Sequence, residues 1–228
     1  MTNLDNIYVI IPLFNESKVL NEVIDKVQGT FKNIIVIDDG STDNSYELLL
    51  KKDITLIRHP INLGQGAAIA TGFEYVKKIE NAFAVITFDA DGQHSIDDAK
   101  KFAEAILNCD EEIIFGSRFL GNEKNIPYIK RNVLKIATFF TNIITGMKLS
   151  DTHNGLKAIK KSCIKKIDLD INGYAFESQL IYQISKHRIL YKEFPANIIY
   201  TDYSMSKGQS IRNGFIIIED LLQSFKNK

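Results

Sequence analysis

The chain has 228 residues, 45% hydrophobic and 25% charged, proportions of an ordinary soluble globular protein long enough for one substantial core. Its 28 Lys and Arg balance 28 Asp and Glu, which excludes a whole-protein basic field and, with it, nucleic acid as an expected partner. Its two cysteines, Cys109 and Cys163, lack metal-ligand spacing; no export signal precedes the first apolar run, and no stretch reaches the ~20 apolar residues that span a bilayer, so a reduced, cytoplasmic setting is expected.

Up to about Ser117, short β-rich runs alternate with helix-period segments. Ile7–Ile11, Ile34–Ile37, Thr55–Ile57, Ala84–Phe88 and Glu112–Phe115 read as strands. The first helix follows Ser17, a candidate cap, with Val19, Leu20, Val23, Ile24 and Val27 on one side. A second starts near Thr42-Asp43, a third runs from Gly66 to Val76, and a fourth follows Ser95 with Ile96, Ala99, Phe102, Ala103 and Ile106 at helical spacing. This rhythm predicts an α/β fold: a mostly parallel central sheet with helices on both faces, its ligands gathered at the carboxyl ends of the strands. Beyond Ser117 come a polar loop (Gly121–Pro127), a long amphipathic helix (Tyr128–Met147), a helix around Phe176–Ser185, strand-like runs Ile189–Phe194 and Ala196–Tyr200, and a final helix, Ile211–Phe225. No linker divides the chain, so 1–228 is expected to be one domain, with a ligand-binding half (1–117) and a C-terminal extension (118–228).

Polar clusters follow the strands. Asp89-Ala90-Asp91-Gly92, with Gln93 and His94, closes the fourth strand; a turn relaxed by Gly92 can aim both carboxylates at one ion, and such hard oxygens suit Mg²⁺ or Mn²⁺ bridging phosphates. An isolated Asp-x-Asp before glycine is equally an ordinary turn. Pro12-Leu13-Phe14-Asn15-Glu16 ends the first strand and Asp38-Asp39-Gly40-Ser41-Thr42-Asp43 the second, offering an apolar ring and carboxylates to a base and ribose, or merely a helix start and a turn. Asn62-Leu63-Gly64-Gln65-Gly66 leads into the third helix, whose N-terminus can face an anion. His59, His153 and His187 show no ligand spacing and read as structural or exposed, and His94 as a loop residue beside the carboxylates.

These motifs, in this order, together with Gly116-Ser117-Arg118, Arg131-Asn132 and Asp151-Thr152-x-x-Gly155, resemble family 2 glycosyltransferases, and among them the polyprenyl-phosphate and dolichyl-phosphate sugar synthases, over about residues 7 to 200. The resemblance implies a GT-A fold, Rossmann-like, with the C-terminal half on the acceptor side. It implies that Pro12, Phe14, Asn15, Glu16, Asp39, Gly64, Gly66, Asp89 and Ala90 surround a nucleotide-sugar, UDP-linked in preference to GDP-linked. It further implies that Asp89, Asp91 and Gln93 bind the divalent metal and that Arg118 and Arg131 receive a polyprenyl phosphate such as undecaprenyl phosphate. The expected reaction is inverting, metal-dependent transfer for cell-envelope glycan synthesis. A phosphate acceptor needs no strong base; a hydroxyl acceptor, the alternative, would need one, and Asp151 is the candidate. A non-catalytic sugar-nucleotide-binding subunit is the third reading. Gln65 stands where such proteins often carry a basic residue, and His153-Asn154 fills a stretch usually small or polar, which leaves the sugar and nucleotide open.

In the Tyr128–Met147 helix, Val133, Leu134, Ile136, Ala137, Phe139, Phe140, Ile143, Ile144 and Met147 form a broad apolar face after Lys130 and Arg131. Either it packs in the core, or it lies at the inner face of the cell membrane, on a small membrane-anchoring subunit, or in a homo-oligomer.

Overall fold

The computed structural model describes residues 4–121, 126, 128–169 and 176–199. The expected helix at 211–225, Tyr200 and most of the Gly121–Pro127 loop lie outside them. A sheet of seven strands forms the centre: β1 (Ile7–Leu13), β2 (Asn33–Asp38), β3 (Thr55–Arg58), β4 (Ala84–Thr87), β5 (Ile113–Ser117), β6 (Lys157–Lys160) and β7 (Tyr191–Pro195), in the order β3-β2-β1-β4-β6-β5-β7. The helices are α1 (Leu20–Gln28), α2 (Ser45–Leu49), α3 (Gln65–Lys77), α4 (Ile96–Leu107), α5 (Tyr128–Thr145), α6 (Lys161–Ile164) and α7 (Phe176–Lys186).

Both faces of the sheet are covered, which is why β1 reads as a nearly unbroken apolar run. Its period of two sends Ile7, Val9, Ile11 and Leu13 to one side and Ile10 to the other. The first side packs on the stripe Leu20, Val23, Ile24 and Val27 of α1 and on Ala99, Phe102, Ala103 and Ile106 of α4. Ile10, with Ile35, Ile37, Val85, Ile113 and Ile159, meets Ala68, Ile69, Phe73 and Val76 of α3 and Leu180, Ile181 and Ile184 of α7. At ~1.5–3 kcal/mol for each large apolar side chain removed from water, these layers are the main stabilising term.

Several local expectations change. Ser17 is not the cap of α1, which begins after Val19 without a side-chain cap; the Ser17 amide donates to the Asp43 carboxylate at 3.1 Å and its side chain bonds the same acid. Of the expected Ala196–Tyr200 strand, the described residues 196–199 form one antiparallel bridge, His94 to Ile198. β6 and α6 went unread, since Lys157-Ala158-Ile159-Lys160 is short and lysine-flanked, with no local strand signature. That insertion matters most for the site. β6 runs antiparallel to both β4 and β5, with Lys157 opposite Thr87 and Phe115, whereas every other strand pair is parallel. The residues that enter β6 therefore lie at the edge where β1, β2, β4 and β5 end.

Candidate active site

The loops after β1 and β2 are laced together. Asn15, at φ 55°, turns the chain in the left-handed region that asparagine tolerates. Its Oδ1 accepts from the amides of Thr42 (2.8 Å) and Asp43 (3.2 Å), while the Glu16 amide donates to Ser45 Oγ at 3.0 Å. Burial pushes the Asp43 carboxyl up, but hydrogen bonds from Ser45 and Ser17 outweigh it and bring it down to about 2. Beside this lacing Pro12 and Glu16 are half-buried, and the Phe14 ring is left 42% exposed at the sheet edge.

Asp39 organises the glycine loop. Its Oδ1 accepts from the Leu63 amide at 3.0 Å and lies 2.7 Å from His59 Nδ1, and its Oδ2 accepts from the Gly64 amide at 2.7 Å. Gly64, at φ 96°, makes the turn into α3, which starts without a side-chain cap; Gly66 is buried in its first turn. His59, read as structural or exposed, is buried here, with its Nε2 2.9 Å from Thr71 Oγ1.

Asp89 and Asp91 follow β4. Asp89 Oδ1 accepts from Gln65 Nε2 at 3.2 Å and Oδ2 meets His94 Nε2 at 2.9 Å. Burial works against the Asp89 carboxylate, yet His94, Lys157 and Arg118 more than compensate and hold its pKa below the usual range. The Asp91 carboxyl is pushed up to about 6, first by burial and then by the charge of Asp89, although its Oδ1 accepts from the Gln93 amide at 2.9 Å. Gln93 is nearly buried and its carbonyl accepts from Ile199 N at 2.9 Å; Ala90 is buried in the core. Asp91, raised by burial and by the charge of Asp89, is short of positive charge, and the hard oxygens of the two carboxylates fit Mg²⁺ or Mn²⁺. Among the described residues no three His, Cys, Asp or Glu side chains are placed to cage an ion. A cation here would draw its remaining ligands from an amide, water or a bound phosphate.

Gly155, entering β6, lies against the Asp89 carboxylate so closely that a Cβ would fall 2.2 Å from Oδ2. Its carbonyl accepts from Thr87 Oγ1 at 2.5 Å. Next to it Lys157 Nζ, buried, donates to Asn154 O at 2.6 Å and to Glu177 Oε1 at 2.7 Å. Burial raises the pKa of Glu177 despite that partner.

Arg118, directly after β5, is buried on a buried acid. Asp151 Oδ2 accepts from Arg118 Nε at 2.6 Å and from its amide at 3.1 Å, Asp151 Oδ1 accepts from the His153 amide at 3.1 Å, and Arg118 Nη2 donates to His153 O. Both oxygens of Asp151 are thus engaged within the protein. α5 is fastened above this turn by Thr138 Oγ1, 3.1 Å from Thr152 Oγ1, and by Lys135 Nζ, 5.2 Å from the centre of the Phe119 ring. Arg131 is half-buried two turns before Thr138; the helical repeat aligns it with the buried stripe Leu134, Thr138 and Thr141. The outer side of α5 leaves Phe139 61% and Ile143 62% exposed, with Ile136, Phe140 and Ile144 beside them. No helix among the described residues is long and apolar enough to cross a membrane.

The structure thus gathers Asp39, Gly64, Asp89, Asp91 and Arg118 at one sheet edge, as their places after successive strands predict, and Asp151, which precedes β6, joins them through Arg118. His94, read as a loop residue beside the carboxylates, lies on Asp89; the supports that sequence reasoning missed are Gln65 on Asp89, the pairing of His59 with Asp39, and the Lys157–Glu177 pair, none of which carries a local signal.

A model of glycosyl transferase family 2 matches residues 8–168. The chain is 32% identical over 238 residues to the UDP-N-acetylglucosamine--dolichyl-phosphate N-acetylglucosaminyltransferase of Methanococcus voltae, covering 95% of this chain and 94% of that one. It is 26% identical over 228 residues to the polyprenol monophosphomannose synthase of Mycolicibacterium smegmatis, covering 93% and 85%. At 14% identity and a TM-score of 0.70, it shares the fold of glucosyl-3-phosphoglycerate synthase from Mycobacterium tuberculosis, solved with Mn²⁺, uridine diphosphate and phosphoglyceric acid, over 96% of this chain and 78% of that one. With its edge loops, its mixed sheet and the family match over most of its length, the chain belongs to glycosyl transferase family 2 and is a glycosyltransferase of GT-A fold.

Proposed function

We propose that this glycosyltransferase moves a sugar, with inversion at the anomeric carbon, from a UDP-sugar to a polyprenyl phosphate at the inner face of the cell membrane. The observation that carries the reading is the Arg118–Asp151 pair: the acidic residue nearest the acceptor arginine is spent on orienting that arginine, with Nε 2.6 Å from Oδ2. A site offering a fixed guanidinium and a committed carboxylate suits an acceptor that is already an anion and needs no base. The names of the Methanococcus voltae and Mycolicibacterium smegmatis relatives support the same acceptor class, and the former supports a UDP-linked donor over a GDP-linked one.

In this reading Phe14 offers its exposed ring to the base, Pro12, Asn15 and Glu16 line the nucleoside, and Asp39 shapes the loop through Gly64 and Gly66 that faces the diphosphate. Asp89, Asp91 and Gln93 would hold Mg²⁺ or Mn²⁺, which when bound neutralises charge on the departing diphosphate. Arg118 and Arg131 bind the acceptor phosphate and aim one of its oxygens at the anomeric carbon, on the side away from the leaving group. The apolar outer side of α5 rests in the membrane interface, while Arg131, aligned with the inner stripe near the start of the same helix, faces the lipid phosphate brought to that edge.

The test is a screen of UDP-N-acetylglucosamine, UDP-glucose and GDP-mannose against undecaprenyl phosphate and undecaprenol with Mg²⁺ or Mn²⁺, reading products by mass. Product is expected on the phosphate alone. Transfer to a hydroxyl acceptor, lost in Asp151→Asn while that variant still binds UDP, would establish the rival assignment of Asp151 as a base.

A further inference from the structure

Glu193, on the edge strand β7, reaches past β5 to the turn that leads from α5 towards β6. Its Oε1 accepts from Ser150 N at 2.8 Å, Ser150 Oγ at 2.8 Å and Asp151 N at 3.3 Å, and its Oε2 from Ser150 N at 3.0 Å. Successive amides closing on one carboxylate form an anion nest, which persists only while the turn keeps its shape. Ser150 Oγ also lies 2.6 Å from Ser117 Oγ, the residue before Arg118. The turn is therefore tied at once to the edge strand and to the end of β5.

Asp151, whose amide the nest holds, is the residue that takes Arg118 Nε and the Arg118 amide. A guanidinium has five N–H groups in a rigid fork. Asp151 and His153 O occupy its Nε side, which sets the direction in which the Nη1 side faces. A shift of the Ser150–Asp151 turn would rotate that fork. A glutamine at 193 would set its own NH₂ where Oε2 now accepts from the Ser150 N–H at 3.0 Å and would remove the charge that draws the two amides, so the substitution opposes the nest.

We propose that Glu193 is a positioning residue for the acceptor phosphate, acting through the Ser150–Asp151 turn to fix the angle of the Arg118 guanidinium. This rests on the reading that Arg118 receives that phosphate.

The test is Glu193→Gln in the full chain, assayed with UDP-N-acetylglucosamine, or whichever UDP-sugar the screen selects, and undecaprenyl phosphate. The KM for undecaprenyl phosphate is expected to rise about 10-fold, equivalent to one displaced charge-assisted contact. The KM for the donor and the affinity for UDP with Mn²⁺ stay within about twofold. On an Arg118→Lys background the same change adds less than about twofold, since two residues acting in series do not add. Independently of activity, hydrogen exchange at Arg118 Nε, followed by ¹⁵N NMR, accelerates in Glu193→Gln. Ser150→Ala, which spares the nest amides, gives the same split at smaller amplitude and serves if Glu193→Gln does not fold. Unchanged acceptor kinetics in Glu193→Gln, with a wild type that does transfer to undecaprenyl phosphate, overturn the inference alone. So does a parallel rise of donor and acceptor KM with a lowered Tm, which marks general loosening. A wild type that accepts no phosphate overturns the functional reading and this inference with it.

Discussion

Replacing Gly155 with alanine tests the centre of the site by adding a single methyl group. The new Cβ would stand 2.2 Å from Asp89 Oδ2, 2.7 Å from its Cγ and 2.8 Å from Oδ1, against the 3.4 Å at which ordinary contact begins. Gly155 cannot retreat freely, because its carbonyl is held by Thr87 Oγ1 at 2.5 Å and Lys157 N donates to that same hydroxyl at 3.1 Å. The carboxylate must therefore move, by about 1 Å, and in doing so it gives up His94 Nε2 or Gln65 Nε2. Overpacking of this kind costs about 1–3 kcal/mol, and each kcal/mol lowers Tm by about 2–4 °C in a chain of this size. The functional loss should be larger, since a misplacement of about 1 Å can cost about 10²-fold in rate. The assays are a thermal melt, calorimetric titration of UDP with and without Mn²⁺, and transfer to undecaprenyl phosphate. Gly155→Ala should fold, bind UDP without metal as the wild type does, and lose the metal-dependent gain in UDP affinity. Wild-type metal dependence and turnover in Gly155→Ala would refute the reasoning that Asp89 is held in place by the missing side chain.

His153 supplies a pH dependence of stability. Burial lowers its pKa from 6.5 to about 4, so below pH 6.5 the unfolded chain takes up a proton that the folded one refuses. Stability from this residue is complete above pH 6.5 and is lost as pH falls through about 4; urea melts at pH 7 and pH 5 should differ by about 1–2 kcal/mol more in wild type than in His153→Gln. Lys157→Met should destabilise by about 3–5 kcal/mol because it strands the buried Glu177 carboxylate, and the double change Lys157→Met with Glu177→Leu should recover most of that in urea melts. If recovery fails, the pair is not what the interior needs there. Phe139→Glu with Ile143→Glu removes two exposed apolar anchors worth about 1.5–3 kcal/mol each on a membrane. Binding to anionic lipid vesicles in a sedimentation assay should drop at least about 10-fold with an unaltered melt, whereas unchanged sedimentation would remove α5 from the interface.

The sequence carried its information where physics repeats. A short unbroken apolar run marked β1, period-3.6 apolar spacing marked α1 and α4, and the rule that parallel sheets bind at their carboxyl ends put Phe14, Asp39, Gly64 and Asp89 at one edge before any coordinate. Arg118 and Asp151 were legible as candidates, yet their pairing was not: a carboxylate that could have been a base is engaged by a guanidinium 33 positions earlier. Nothing in Lys157-Ala158-Ile159-Lys160 announces a strand, because that segment is a strand only through the neighbours it slips between, β4 and β5.

That antiparallel insertion was decided by tertiary structure alone, and it carries Gly155 to the Asp89 carboxylate across a separation of 66 positions. Glu193 and Ser150 meet across a separation of 43, and no local pattern records such a contact. Periodicity is set by each element's own geometry and can be read from one segment. Which carboxylate is compensated, crowded or spent depends on what the folded sheet brings beside it.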